Sequence, residues 1–118
     1  MNKEVVIIDG IEYVRKDQMA KKRNGMEYCI VRTYSAGVFA GYVERREGQE
    51  VVMRDARRIY YWDGAATLSQ LAIDGTTKPQ NCKFPEAVDI VTLLQAIEII
   101  PCTEKAQKSI EEVSIWKM

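Results

Sequence analysis

The chain has 118 residues, enough for one domain with a single core and too few for two comfortable ones, so one domain spanning 1–118 is expected. Hydrophobic residues make up 47% and charged residues 29%, an ordinary globular composition, and 17 basic side chains cancel 17 acidic ones. That balance removes any overall field drawing the protein to nucleic acid or an anionic membrane, and no apolar run nears the roughly 20 residues of a bilayer span.

The first apolar run, MNKEVVIIDG, is too short and too acid-flanked for a signal peptide, so a cytoplasmic protein is expected. Val5 to Ile8 and Ile11 to Val14 alternate on either side of Asp9-Gly10, a hairpin signal. Arg15 to Arg23 is a helical turn or a solvated loop, closed by Asn24-Gly25. Glu27 to Tyr34 is a strand with Tyr28, Ile30 and Tyr34 on one side and Cys29, Val31 and Thr33 on the other. Val38 to Arg45 is the next strand, and Glu47-Gly48-Gln49 turns the chain into a third. That third strand starts at Glu50 and runs on through VVMRDARRIYYW, its alternation broken at Ala56, which predicts a β-bulge near Asp55-Ala56.

Ala65 to Ile73 has helical spacing at Leu68, Leu71 and Ala72, with Gly75 placed to stop it. The stretch from Ala87 to Ile100 fits a helix or strands, and two short strands joined near Leu94-Gln95 are the preferred reading. Thr103 is a plausible N-cap, Glu104 suits the first turn, and Ala106, Ile110 and Val113 form the apolar stripe of a last helix, with Trp116 docking the tail. The expected fold class is α+β: an antiparallel β-sheet with two short helices on it.

Chemistry is constrained first by what is missing. The chain has no histidine, which removes Ser-His and Cys-His catalysis and the commonest general base, and its 3 cysteines lack metal or disulfide spacing. No catalytic residue, metal or cofactor is therefore expected; Glu98 or Asp89 would be the base if the protein were a nucleotide-processing enzyme. Three groups invite ligand binding instead. The turn Ser35-Ala36-Gly37-Val38 is small enough for a ligand to reach the backbone, although a plain wide hairpin would look the same. Arg54, Arg57 and Arg58, with Arg32 on a neighbouring strand, suit phosphate oxygens, or else pair with Glu44, Asp55 and Asp63. Tyr60, Tyr61, Trp62, Phe84 and Phe39 could stack a flat ring or simply fill the core, while Asn81 beside Phe84 can pair with an adenine edge.

From Met26 onward the chain resembles a family of small phage and prophage proteins, the first-described Thoeris anti-defence family. The resemblance is carried by YCIVRTYSAGVFAGYV, EVVMRDARRIYYWDGAATLSQLA, NCKFP and AIEIIPCTEKAQKSI. It implies a sponge, a protein that holds a cyclic ADP-ribose-type messenger made by a bacterial TIR enzyme and does not cleave it. It also implies a homodimer or larger homo-oligomer in the host bacterial cytoplasm. By the same resemblance Arg57 is the leading ligand-binding residue, with Phe84 stacking a ring and Asn81 reading its edge; Arg58, Arg32, Ser35, Gly37 and Phe39 complete the candidate site.

Overall fold

A computed structural model describes residues 18–118 together with the backbone of two earlier strands, β1 (Val5–Ile8) and β2 (Ile11–Val14). These two pair antiparallel, from Val5 opposite Val14 to Ile8 opposite Ile11, as the alternation on either side of Asp9-Gly10 requires. The turn between them and the first part of the basic segment, 15–17, lie outside the described residues. Asn24 and Gly25 both take positive φ (52° and 80°), giving the tight turn that leads into the main sheet.

That sheet has five antiparallel strands: β3 (Glu27–Thr33), β4 (Val38–Glu47), β5 (Glu50–Arg58), β6 (Val88–Leu93) and β7 (Ala96–Pro101). Two helices, α1 (Leu68–Asp74) and α2 (Glu104–Glu112), complete an α+β fold. Two boundaries move. β5 stops at Arg58 and does not run on to Trp62; beyond it the chain leaves the ladder and Tyr61 bridges to Lys83. Helix α1 begins three residues later than its spacing suggested, because the Thr67 side chain accepts from the Gln70 N–H and sets the first turn there.

The strand order is β6-β5-β4-β3-β7, so the two edge strands are neighbours in sequence. In a flat sheet they would stand four strand spacings apart, about 19 Å. Only Leu94 and Gln95 join them, and three Cα steps reach at most about 11 Å. The sheet must therefore curl toward a barrel, and the cross-links follow: Ala96 N–H donates to Gln49 O at 2.9 Å, and Tyr34 N–H donates to Gln95 O at 2.9 Å.

Curling gives the central strands β3 and β4 two apolar faces. Inside lie Cys29, Val31, Phe39, Val51, Met53, Ala56, Leu93 and Ala96. Outside, Tyr28, Ile30, Ala40 and Tyr42 meet the helices through Leu68, Leu71, Ala72, Ala106 and Ile110, with Phe84 beneath them. The two sides predicted for β3 are correct, except that Tyr34 lies beyond the strand and is exposed. Thr103 ties the helices together: its hydroxyl donates to Ile73 O at 2.6 Å, and its oxygen accepts from Ala106 N–H at the start of α2.

The bulge sits where alternation broke. Ala40 faces Arg57 and Tyr42 faces Arg54, so Asp55 and Ala56 together oppose Gly41 alone. Asp55 adopts a left-handed conformation (φ 48°) to allow it. A Cβ at Gly41 would stand 2.9 Å from Ala56 Cα and from the carbonyl oxygens of Arg54 and Asp55, so glycine is required on the facing strand.

Candidate functional site

The bulge decides where the arginines go. Val51 and Met53 point inward, and unbroken alternation would carry the inward face to Arg57. The extra residue moves that face to Ala56 and Arg58, and Arg57 turns outward under the helices.

There Arg57 is buried, at 7% exposure, and its fork is fully engaged. Nε donates to Pro85 O (2.8 Å), one terminal nitrogen to Ile110 O (2.9 Å) and the other to Phe84 O (2.9 Å). Burial lowers its pKa, partly offset by Tyr28, yet an arginine stays charged at any physiological pH. The expectation that Arg57 contacts a ligand is thus corrected: it clamps α2 and the NCKFP loop onto the sheet. Phe84 is corrected with it. The ring is fully buried, with the Arg57 guanidinium 5.5 Å from its centre, and has no face left for a base. Asn81 is exposed, but its amide donates to Asp63 at 2.9 Å and holds that carboxylate below its usual pKa.

Arg58 is the exposed member of the pair. Its guanidinium lies 4.4 Å from the centre of the Phe39 ring and donates to Ala36 O. Its other donors meet no protein acceptor among the described residues. The β3–β4 turn is built around it. Thr33 Oγ1 donates to Gly37 O (2.7 Å) and accepts from Ala36 N–H (2.8 Å), and Ser35 donates to Gln95 Oε1 at 3.2 Å. Gly37 has φ 96°, and a Cβ there would lie 3.3 Å from the Arg58 guanidinium. The small residues of this turn therefore let an arginine cross the backbone closely.

Ser35, Gly37, Phe39 and Arg58 come together, while Arg57, Phe84 and Asn81 lie on the helix-covered side. Arg32 is also separate: it extends the face of Tyr28 and Ile30 and pairs with Glu98 at 3.1 Å. Asp89, the other carboxylate considered as a base, stands 3.6 Å from Arg54.

Two further features add to the predicted ones: a groove that was not foreseen, and a surface where Lys83 and Trp116 join Tyr60 and Tyr61, already named for ring stacking. An open groove of about 580 Å³ is lined by Arg23, Asn24, Gly25, Met26, Glu44, Arg54, Asp55 and Asp89. Arg23 binds Asp55 at 2.5 Å and Arg54 binds Glu44 at 2.6 Å, which raises both arginine pKa values. With every guanidinium already matched to a carboxylate, the groove offers an anion little. The second feature is an exposed aromatic surface where residues 60–61, 83–84 and 115–116 run side by side. Lys83 N–H donates to Tyr61 O and Trp116 N–H to Phe84 O, and Tyr60 stacks on Trp116 with ring centres 5.1 Å apart and planes 10° from parallel. Lys83 has no local sequence signal, since its partners are more than twenty residues away along the chain in either direction.

No group of three or more metal-ligating side chains occurs among the described residues. Nor is any helix there long and apolar enough to cross a membrane. No curated protein and no solved structure matches the chain. One family model does match, over residues 26–110, which takes in the whole sheet, α1 and most of α2. The chain belongs to the DUF6948 family, a domain of unknown function.

Proposed function

We propose that this protein is a non-catalytic binder of a phosphate-bearing small molecule, a cyclic ADP-ribose-type messenger, which it sequesters at the β3–β4 turn in a bacterial cytoplasm. The observation that carries the reading is Arg58: an exposed guanidinium, braced against Phe39 and the Ala36 carbonyl, with donors left over. Pre-organised guanidinium forks suit phosphate oxygens, and the bracing reduces the freedom lost on binding. The identity of the ligand and the anti-defence role rest on the resemblance from Met26 onward, and Arg58 takes the place that resemblance gave to Arg57.

The chemistry within reach supports sequestration. Donors that complement a ground-state phosphate hold it without lowering a barrier, since only stronger binding of the transition state accelerates a reaction. Cleaving a glycosidic bond would call for a carboxylate pair across it, and Glu98 is engaged by Arg32. A thermal-shift screen of cyclic ADP-ribose isomers and cyclic oligonucleotides tests the proposal, because a ligand of the folded state raises the midpoint by mass action. A shift in wild type that disappears in Arg58→Ala is expected; no shift with any nucleotide would contradict it.

A second reading, a protein-binding accessory module, is favoured by the seam between β6 and β7. Val88, Ile90, Leu94 and Ile97 there are between 45% and 70% exposed. Within the first reading, the same seam is the proposed contact of a homodimer or larger homo-oligomer.

A further inference from the structure

The aromatic surface along 60–61, 83 and 115–116 is unassigned. Four of its side chains form an unbroken series. Tyr60 stacks on Trp116, and the Lys83 ammonium stands 5.7 Å from the Trp116 ring and 5.9 Å from the Tyr61 ring. Tyr60 is 62% exposed and Tyr61 51%, while Trp116 is half-buried between Tyr60 and Lys83. The backbone beneath them is pinned. Lys83 N–H donates to Tyr61 O, Trp116 N–H donates to Phe84 O, and the buried Arg57 holds the same Phe84 carbonyl. The surface is therefore set before any partner arrives, which reduces the ordering cost of binding.

Tyrosine and tryptophan on a rigid frame are the side chains that anchor protein interfaces. What they should meet follows from charge. No carboxylate among the described residues pairs with Lys83. Asp63, the acidic residue nearest to Tyr61 in sequence, is held by the Asn81 amide and the Gly64 N–H. The Lys83 ammonium is thus uncompensated. A nucleic acid would need several such cations to hold its phosphates. A second copy would have to bring a free carboxylate to the rings, and Asp89 and Glu98, beside its apolar seam, already pair with Arg54 and Arg32. An acidic segment of a different protein meets both demands. We propose that Tyr60, Trp116, Lys83 and Tyr61 form a docking surface for such a segment, with a large apolar side chain packed on the rings and a neighbouring carboxylate paired with Lys83. Docking of this kind is independent of phosphate binding at the β3–β4 turn.

The test separates rings from charge. Fluorescence anisotropy on the full chain compares three labelled probes: a random copolymer of glutamate and tyrosine, polyglutamate, and a random copolymer of lysine and tyrosine. Wild type should bind the glutamate–tyrosine copolymer roughly tenfold or more tightly than either of the others, as one well-placed anchor with its charge gives. Lys83→Glu and Tyr61→Ala should each bring that copolymer down to the polyglutamate level with an unchanged melting temperature. Lys83→Arg should keep the preference, and Arg58→Ala should leave it untouched. Equal binding of polyglutamate, a preference that survives Lys83→Glu, or no binding of any probe by wild type would overturn the docking surface. So would light scattering in which Lys83→Glu dissolves a wild-type oligomer, since a second copy would then be the occupant.

Discussion

Arg57 and Arg58 are adjacent and chemically identical, and their surroundings are opposite, one buried on three carbonyl oxygens and the other exposed beside Phe39. Replacing Arg57 by alanine leaves three carbonyl oxygens without a charged donor; hydrogen bonds to charged groups contribute about 1.5–3 kcal/mol each without adding fully, so a loss of about 3 kcal/mol or more is expected. Lysine cannot present a fork to three acceptors, so Arg57→Lys should rescue little. Urea denaturation checks this, and an Arg57→Ala variant of wild-type stability would show that the clamp is dispensable. Arg58→Ala should do the reverse, leaving the unfolding midpoint nearly in place and weakening phosphate binding more than tenfold. The thiols give a pH test. Burial raises Cys29 and Cys102 from an ordinary 9.0 to about 12, with Glu27 adding to the first and Cys29 to the second. A raised pKa favours the neutral thiol in the folded state, so this stabilisation is complete below pH 9 and declines as pH climbs toward 12. Iodoacetamide at pH 8 should therefore leave both unlabelled until urea unfolds the chain; labelling of the native protein at free-thiol rates would contradict the burial.

At the scale of elements, much was legible because alternation is a direct record of the pleat. Ala56 broke the phase of β5, and the bulge is there; Leu94-Gln95 broke an Ile-rich run, and β6 and β7 meet there. What could not be read was the consequence of each. A bulge shifts every later side chain by one face, so a correct prediction of the bulge still left the exposed arginine undecided. Likewise Phe84, in a polar loop, looked exposed, and its burial comes from distant segments: the two helices, Arg57 and the tail returning along 115–116. Four candidate residues did assemble because the turn and the end of β5 are ladder neighbours, Phe39 facing Arg58. The bulge also makes a prediction of its own. Gly41→Ala sets a methyl group 2.9 Å from three backbone atoms, where nothing flexible can give way, and should destabilise the protein by about 1–3 kcal/mol, the usual range for overpacking. Gly48→Ala is the contrast, with no atom near its would-be Cβ and only a positive φ against it. Equal midpoints for the two variants would mean that β4 and β5 separate more easily than the bulge requires.

At the scale of the whole molecule, the curled sheet divides its labour. The helices and Arg57 stabilise one side, the β3–β4 turn and Tyr60 remain open beyond them, and the β6–β7 seam leaves apolar side chains uncovered. Light scattering at micromolar concentration should report at least a dimer, and Ile90→Lys with Ile97→Lys should return it to a monomer by placing charge on that seam. A stable wild-type monomer would remove the dimer and leave the ligand site as it is. The proposed holding of a messenger without transforming it is tested most directly by recovering what the protein has bound. Protein incubated with an excess of the cyclic ADP-ribose isomer that stabilises it is freed of unbound ligand, heat-denatured, and its contents separated by liquid chromatography. Intact cyclic messenger is expected in an amount stoichiometric with sites, and close to none from Arg58→Ala; linear product accumulating over many turnovers would contradict sequestration.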